Sequence, residues 1–348
     1  MAFSAILKPS DYFTPTLYVG NGSTKTVTGV PFEPDMTWIK NRSGATDNEI
    51  YDKVRGVGYR IYTNTTAGQD DIGSQGLSAW TSDGFTVGNN GALNGNGNNQ
   101  VSWNWKANGA GSSNTDGTIN TIKTSANTTS GFSISTYTGT GSAGTIGHGL
   151  GVAPTAIITK RISASEQWFT WIQGITSAGG FLKLDVTNAA STNNTAFPWN
   201  PQANTFGLSG DAATNSNGVT YLAYCFAEKQ GYSKMGAYTG NGNVDGSFIY
   251  TGFKPAFVMA KKTSGVGRWS ILNNKSNPFN VTYLMLSPNE TSGDYTAAAW
   301  NTDFLSNGFK IRSSESEYNA NGSTYIYMAF AETPFVANSG QSIPTTAR

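Results

Sequence analysis

Apolar and polar residues alternate along this chain in short runs, and a helical period is nowhere sustained. Met36 and Trp38 alternate with Thr37 and Ile39, which predicts a strand over 36–40; residues 50–54 and 59–63 read as further strands. Ser82-Asp83-Gly84-Phe85 predicts a turn that opens a strand at Thr86-Val87. The same texture returns at 156–160, in the aromatic run 168–172, and at 181–186, 257–261, 268–272 and 282–286. Gly- and Asn-rich turns separate these runs, so the pattern predicts an all-β chain of antiparallel sandwich or jelly-roll type. The one helical signal expected is a capped turn at Ser10-Asp11, stopped by Pro15.

The runs repeat in order. Tyr18-Val19-Gly20-Asn21-Gly22, Tyr137-Thr138-Gly139-Thr140-Gly141 and Tyr238-Thr239-Gly240-Asn241-Gly242 open three copies. Each copy continues to a proline and an apolar strand ending in lysine: Pro34 to Lys40, Pro154 to Lys160, Pro255 to Lys261. Each closes on an aromatic strand, 101–105, 222–226 and 326–330. The copies lie roughly a hundred residues apart, a domain length and not a solenoid rung. Three tandem β-sandwich (jelly-roll) domains are expected: 1–16 a lead-in, 17–109 the first sandwich, 110–130 a Gly/Ser/Thr/Asn linker, 131–231 the second, 232–336 the third, and 337–348 a polar tail. Residues 118–122 carry alternate β-branched positions and are the part of the linker able to pair. The Asn/Gly stretch 89–99 and its counterparts 211–218 and 313–323 are expected as variable tip loops.

The closing strands differ in their two faces. Val101, Trp103 and Trp105 alternate with Ser102, Asn104 and Lys106, which predicts one wet face. In the second copy Tyr221, Ala223 and Cys225 face away from Leu222, Tyr224 and Phe226; in the third, Tyr325, Tyr327 and Ala329 oppose Ile326, Met328 and Phe330. Both faces there need cover, so copies two and three are expected to pack together or on symmetry mates, with copy one more independent.

Composition narrows the functions. Of 348 residues only 12% are charged and the net charge is +1, which gives no broad electrostatic hold on nucleic acid or anionic membrane. The first residues lack the basic region and long apolar run of a signal peptide, and no stretch approaches membrane-spanning length. One cysteine, Cys225, excludes an intrachain disulfide framework and reads as a buried small hydrophobe. One histidine, His148, sits in a glycine turn without local metal partners; no metal and no cofactor is expected.

Catalytic candidates are few. Glu228 and Glu332 follow equivalent aromatic strands, where copy one has Ala107; a repeated strand-end hydrogen bond accounts for them more economically than a glycosidase pair. Asp70-Asp71 reads as a solvated pair before a cation site. Trp168, Trp171, Trp199, Trp269 and Trp300 are sugar-stacking candidates by residue type, and core residues by fold. Lys40, Lys160 and Lys261 recur at strand ends, as charges that block edge pairing or contact acidic groups. With Tyr221, Tyr325 and Tyr327 they form the candidate surface-contact set.

Several phrases resemble a family of tail-fibre-like virion proteins of tailed, often marine, bacteriophages. They include Lys8-Pro9-Ser10-Asp11-Tyr12-Phe13, residues 32–42, Ser82-Asp83-Gly84-Phe85-Thr86-Val87-Gly88, Val101-Ser102-Trp103-Asn104-Trp105-Lys106-Ala107, residues 147–154, 221–228, 250–256 and 325–332. The resemblance implies lectin-like sandwich domains and a non-enzymatic virion protein, made in the host cytoplasm: a tail-associated fibre, appendage or receptor-binding component. Its implied partners are other virion proteins, further copies of itself and a host-surface glycan, with no nucleic acid and no membrane insertion. A capsid decoration or head-fibre protein and a jelly-roll carbohydrate-active enzyme are the alternatives.

Overall fold

The computed structural model describes residues 4–175, 180–192, 195–198 and 200–333. Its β-ladders fall within three stretches of chain. The first carries β1 (Phe13–Val19), β2 (Lys25–Thr28), β3 (Met36–Asn41), β4 (Glu49–Asp52), β5 (Tyr59–Tyr62), β6 (Asp70–Asp71), β7 (Leu77–Thr81), β8 (Gly84–Val87), the one-turn helix α1 (Gly91–Asn94) and β9 (Asn99–Trp105). The second carries β10 (Thr121–Asn127), β11 (Phe132–Thr138), β12 (Gly144–Gly147), β13 (Ala156–Arg161), β14 (Phe169–Ile172), β15 (Leu182–Lys183), β16 (Thr205–Leu208), α2 (Ala212–Asn215) and β17 (Thr220–Phe226). The third carries β18 (Ser233–Thr239), β19 (Phe248–Tyr250), β20 (Pro255–Lys262), β21 (Trp269–Asn273), β22 (Thr302–Leu305), β23 (Gly308–Ile311), α3 (Ser316–Asn319) and β24 (Thr324–Ala331).

Each stretch builds one large and one small sheet. The large sheets run β1-β9-β3-β4-β5-β6, β10-β11-β17-β13-β14-β15 and β18-β24-β20-β21; the small ones are β2-β8-β7, β12-β16 and β19-β23-β22. The closing aromatic strand is always flanked antiparallel by the opening strand and by the strand leading to lysine, as with β9 between β1 and β3, β17 between β11 and β13 and β24 between β18 and β20. The fold is therefore all-β, with sandwiched antiparallel sheets, as the alternation predicts.

The sheets bury two kinds of core. Between each large sheet and its small sheet lies an outer cluster: Val27, Tyr51, Phe85 and Leu93 in the first stretch, Ile146, Phe206 and Ala223 in the second, Ile249, Phe309 and Tyr327 in the third. The other face of all three large sheets meets in one central cluster, where Trp103 and Trp105 join Phe132, Tyr224 and Phe226 and also Phe257, Met328 and Phe330. Trp105 stands 6.3 Å from Phe226, 5.9 Å from Phe257 and 5.7 Å from Phe330, ring centre to ring centre. A void of only about 20 Å³ remains between Trp105, Ile158, Trp168 and Met259, so the centre is packed as densely as an ordinary core.

Several expectations are corrected. The first copy is not independent, because Trp103 and Trp105 lie at the common centre. Copies two and three do pack together as expected, with Phe226 5.8 Å from Phe330, and the apolar faces of β17 and β24 are covered from within the chain, by the other stretches and by their own small sheets. The polar face of β9 is not wet. Ser102 and Asn104 are fully buried; Thr37 donates to Asn104 Oδ1 at 3.0 Å, and Asn104 Nδ2 donates to Thr14 O and Ser102 Oγ, both at 3.1 Å. The 110–130 segment carries β10, hydrogen-bonded along β11. In the lead-in, Ile6 and Phe13 are buried in the central cluster and Ala5 N–H bonds Gln230 O at 2.9 Å. Of 181–186 only Leu182–Lys183 forms a strand, and 282–286 makes isolated bridges. Trp199 and the 337–348 tail lie outside the described residues.

Candidate functional site

The candidate contact residues are interior ones. Lys40, Lys160 and Lys261 are each 1% exposed, and Tyr221, Tyr325 and Tyr327 no more than 2%. The reason is geometric: the lysine stands next to last in its strand at the junction between stretches, so its ammonium reaches into the neighbouring stretch. Lys40 Nζ donates to Glu290 O at 3.0 Å, from the first stretch to the third. Lys160 Nζ donates to Thr66 O at 2.7 Å, from the second to the first. Lys261 Nζ donates to Thr187 O at 3.1 Å, from the third to the second. The three bonds form a closed cycle.

The same cycle recurs in other atoms. Thr46 N–H bonds Thr291 O at 3.0 Å, Glu166 N–H bonds Thr66 O at 2.8 Å and Gly267 N–H bonds Thr187 O at 3.0 Å. Trp168 Nε1 donates to Tyr62 O at 2.8 Å and Trp269 Nε1 to Lys183 O at 2.9 Å. The first stretch has Asn48 in this place, and its Nδ2 donates to Pro288 O at 2.9 Å. Burial pulls all three lysines down to about 8, against an ordinary 10.5, while nearby carboxylates such as Glu290, Asp185 and Glu317 oppose the shift.

The tyrosines serve the outer cores. Tyr221 stacks on Tyr137 at 5.3 Å, and its hydroxyl donates to Ala212 O at 2.8 Å. Tyr325 stacks on Tyr238 at 4.8 Å and donates to Ser316 O at 2.9 Å. Tyr327 packs edge-on to Phe309.

The expected tip loops are latches that the sequence reading missed. Each one-turn helix ends in a fully buried asparagine, Asn94, Asn215 or Asn319. Its Oδ1 accepts the N–H of Asn21, Thr140 or Asn241, at 2.9, 2.9 and 3.0 Å. Its Nδ2 donates to loop carbonyls, as Asn319 does to Asn243 O at 2.9 Å and Ser313 O at 2.7 Å. The opening glycine permits this approach: a Cβ on Gly20, Gly139 or Gly240 would fall 2.2, 2.3 or 2.4 Å from a backbone oxygen of the latch. The signal was in the chain, since Asn-x-Asn-Gly recurs at 94–97, 215–218 and 319–322.

The catalytic candidates are held in structural bonds. Glu228 Oε1 accepts Met235 N–H at 2.8 Å. Glu332 accepts from Thr14 Oγ1 and Asn274 Nδ2, both at 2.9 Å, and pairs with Lys275 at 2.6 Å. Each carboxylate joins one stretch to the next. His148 is buried; Nδ1 accepts Leu150 N–H at 3.2 Å and Nε2 faces Gln202 O at 3.1 Å, which puts its proton on Nε2, and burial holds its pKa down. Asp70 pairs with Arg60 at 2.8 Å, and Asp71 accepts Gly73 N–H at 2.9 Å. Cys225 is buried, and burial drives its thiol pKa far up. Trp168, Trp269 and Trp300 are core residues. Among the described residues no group of three or more His, Cys, Asp or Glu is placed to hold a metal ion, and no helix is long and apolar enough to cross a membrane.

Open hollows also mark the described surface, one of about 510 Å³ beside Ala298, Arg312 and Glu315 among them. Two hollows, of about 410 and 630 Å³, lie along β18 and β19 in the third stretch and share Glu228, Lys234 and Tyr250.

Fold and site together define an all-β protein whose repeated polar residues join its parts. The chain matches the model of a domain of unknown function, DUF7483, over residues 8–334, and it belongs to that family. No curated protein and no solved structure matches it.

Proposed function

We propose that this chain is a non-catalytic structural protein of a tailed-bacteriophage virion, acting as a tail-associated fibre, appendage or receptor-binding component. The observation that supports the reading most is the closed cycle of lysine bonds, 40 to 290, 160 to 66 and 261 to 187. It makes one stiff body in which the repeated charged positions are engaged inside, leaving loops and sheet edges as contact surface. The resemblance of the repeated phrases to phage tail-fibre-like proteins supplies the particle. Capsid decoration is the second reading, since a body with three near-equivalent faces suits a threefold acceptor and a shell offers one as a trimeric tail does.

Purified particles from a lysate, analysed by mass spectrometry and cryo-electron microscopy, test both readings. The chain is expected in the particle, with its density on the tail. Density on the shell would give the decoration reading, and absence from particles would overturn both. Polysaccharide turnover abolished by Glu228→Gln or Glu332→Gln would establish an enzyme instead.

A further inference from the structure

The counterpart of the open cleft in the second stretch is filled by the chain itself. There β10 pairs along β11, Ile119 bridges Ile146 on β12, and Thr118 and Thr145 exchange hydrogen bonds at 3.0 and 2.8 Å. In the third stretch the corresponding edges, β18 and β19, are the outer strands of their sheets. Ile146 pairs with Phe206 and Ile249 with Phe309, so Phe248 takes the place of Thr145 and Tyr250 that of Gly147.

That exchange decides what the cleft can hold. Gly147 lets the filling segment approach, since a Cβ there would stand 1.7 Å from Asn114 Oδ1. A tyrosine at the same place closes that path to a main chain. The edge of β18 is also partly occupied: Met235 N–H is bonded to Glu228, and Thr239 O accepts from Ser247 Oγ at 2.7 Å. An added strand therefore meets obstacles here that the filling segment of the second stretch does not meet. What the cleft presents instead is two aromatic rings on one short strand, Tyr250 60% and Phe248 46% exposed, beside Glu228, Lys234, Gln173 and Ser247.

A flat ligand with an apolar face and a polar rim matches this arrangement. The C–H face of a pyranose is slightly positive and meets the negative face of an aromatic ring, while its hydroxyls both donate and accept. Carboxylate, ammonium and amide side chains serve such a rim, and the volumes lie in the range of ordinary ligand sites. The near-neutral chain, with one lysine at the cleft, does not favour a polyanion such as a nucleic acid.

We infer that the cleft between β18 and β19 is a saccharide-binding site, in which a pyranose ring stacks on Tyr250 and its hydroxyls are bound by Lys234 and Glu228. It rests on the reading of the chain as a contact protein and supplies the chemistry of one contact. The probes are the methyl glycosides of glucose, galactose, mannose and N-acetylglucosamine, in saturation-transfer NMR with the full chain. Transfer to the ring protons of at least one glycoside is expected in the wild type and in Val57→Ala, an exposed position in the first stretch. Affinity is expected to fall about tenfold in Tyr250→Ala. Transfer from none of the four, or affinity unchanged in Tyr250→Ala, would overturn the assignment. So would binding of a synthetic 112–127 peptide in the cleft, which would give it to a strand. The particle-association test is independent of these outcomes, so the two readings fail separately.

Discussion

Strands β9 and β24 hold equivalent places and solve burial differently. Toward the common centre both are apolar, with Val101, Trp103 and Trp105 in one and Ile326, Met328 and Phe330 in the other. Toward their own small sheets they diverge: β24 places Tyr327, Ala329 and Ala331 in an apolar outer core, whereas β9 places Ser102 and Asn104 in a hydrogen-bonded network. The outer face tolerates either solution because each stretch satisfies it locally. The central face is shared by all three stretches and stays apolar in both. A stretch taken alone would expose that face to water, so the repeated copies are parts of one body.

Substitutions at the two faces sharpen this contrast. Trp105→Ala removes rings from contact with all three stretches and is expected to cost about 3–5 kcal/mol, shifting the whole urea transition without splitting it. Asn104→Ala, on the other face of the same strand, leaves a buried hydroxyl and carbonyl short of partners and is expected to cost about 1–3 kcal/mol. Equal costs would remove the distinction between the faces. Asn319→Ala opens one latch and is expected to fall in that same range of about 1–3 kcal/mol, with faster hydrogen exchange at Asn241 as its local signature.

The lysine cycle gives a smaller effect with a characteristic pH dependence. Between about 8 and 10.5 the unfolded chain holds protons on Lys40, Lys160 and Lys261 that the folded chain has begun to release. Stability therefore rises with pH across that window. Near pH 10 the buried tyrosines, whose pKa values burial raises, begin to oppose that rise, and above the window they turn the trend downward. Lys160→Met keeps the stem, and Thr66 O retains the Glu166 N–H; Glu166 O loses the ammonium as donor, which relief of a buried charge partly offsets, so it is expected to cost about 1 kcal/mol near neutral pH and to flatten the rise. Melting temperatures measured across pH 7 to 11 check both parts. The smallest effect is expected at Phe279, 72% exposed, where Phe279→Ser stays within about 0.5 kcal/mol.

How far the sequence was legible follows from which interactions are local. Alternation and turn residues act within a few positions, so the strand at Met36–Asn41 and the triple opening at Tyr18, Tyr137 and Tyr238 were readable. The destination of Lys160 was not, because its acceptor, Thr66, belongs to another stretch and is reached only once the ring closes. Asn104 looked wet for a similar reason: a polar residue facing a polar partner across a sheet reads like one facing water. Composition misled at 110–130, where Gly and Ser hid a strand that needs only the edge of β11 to form. The Asn-x-Asn-Gly repeat was visible, but asparagine beside glycine is so common in loops that its burial could not be inferred. The open cleft depends on Tyr250 replacing Gly147 at matched register, which no single-strand pattern reveals.

Scanning calorimetry of the full chain probes most directly whether the three stretches are one cooperative body. A single transition is predicted, with the calorimetric and van 't Hoff enthalpies equal, and Trp105→Ala should move all of it to lower temperature. Two or three resolved transitions, or a Trp105→Ala variant in which only one part of the trace shifts, would contradict it.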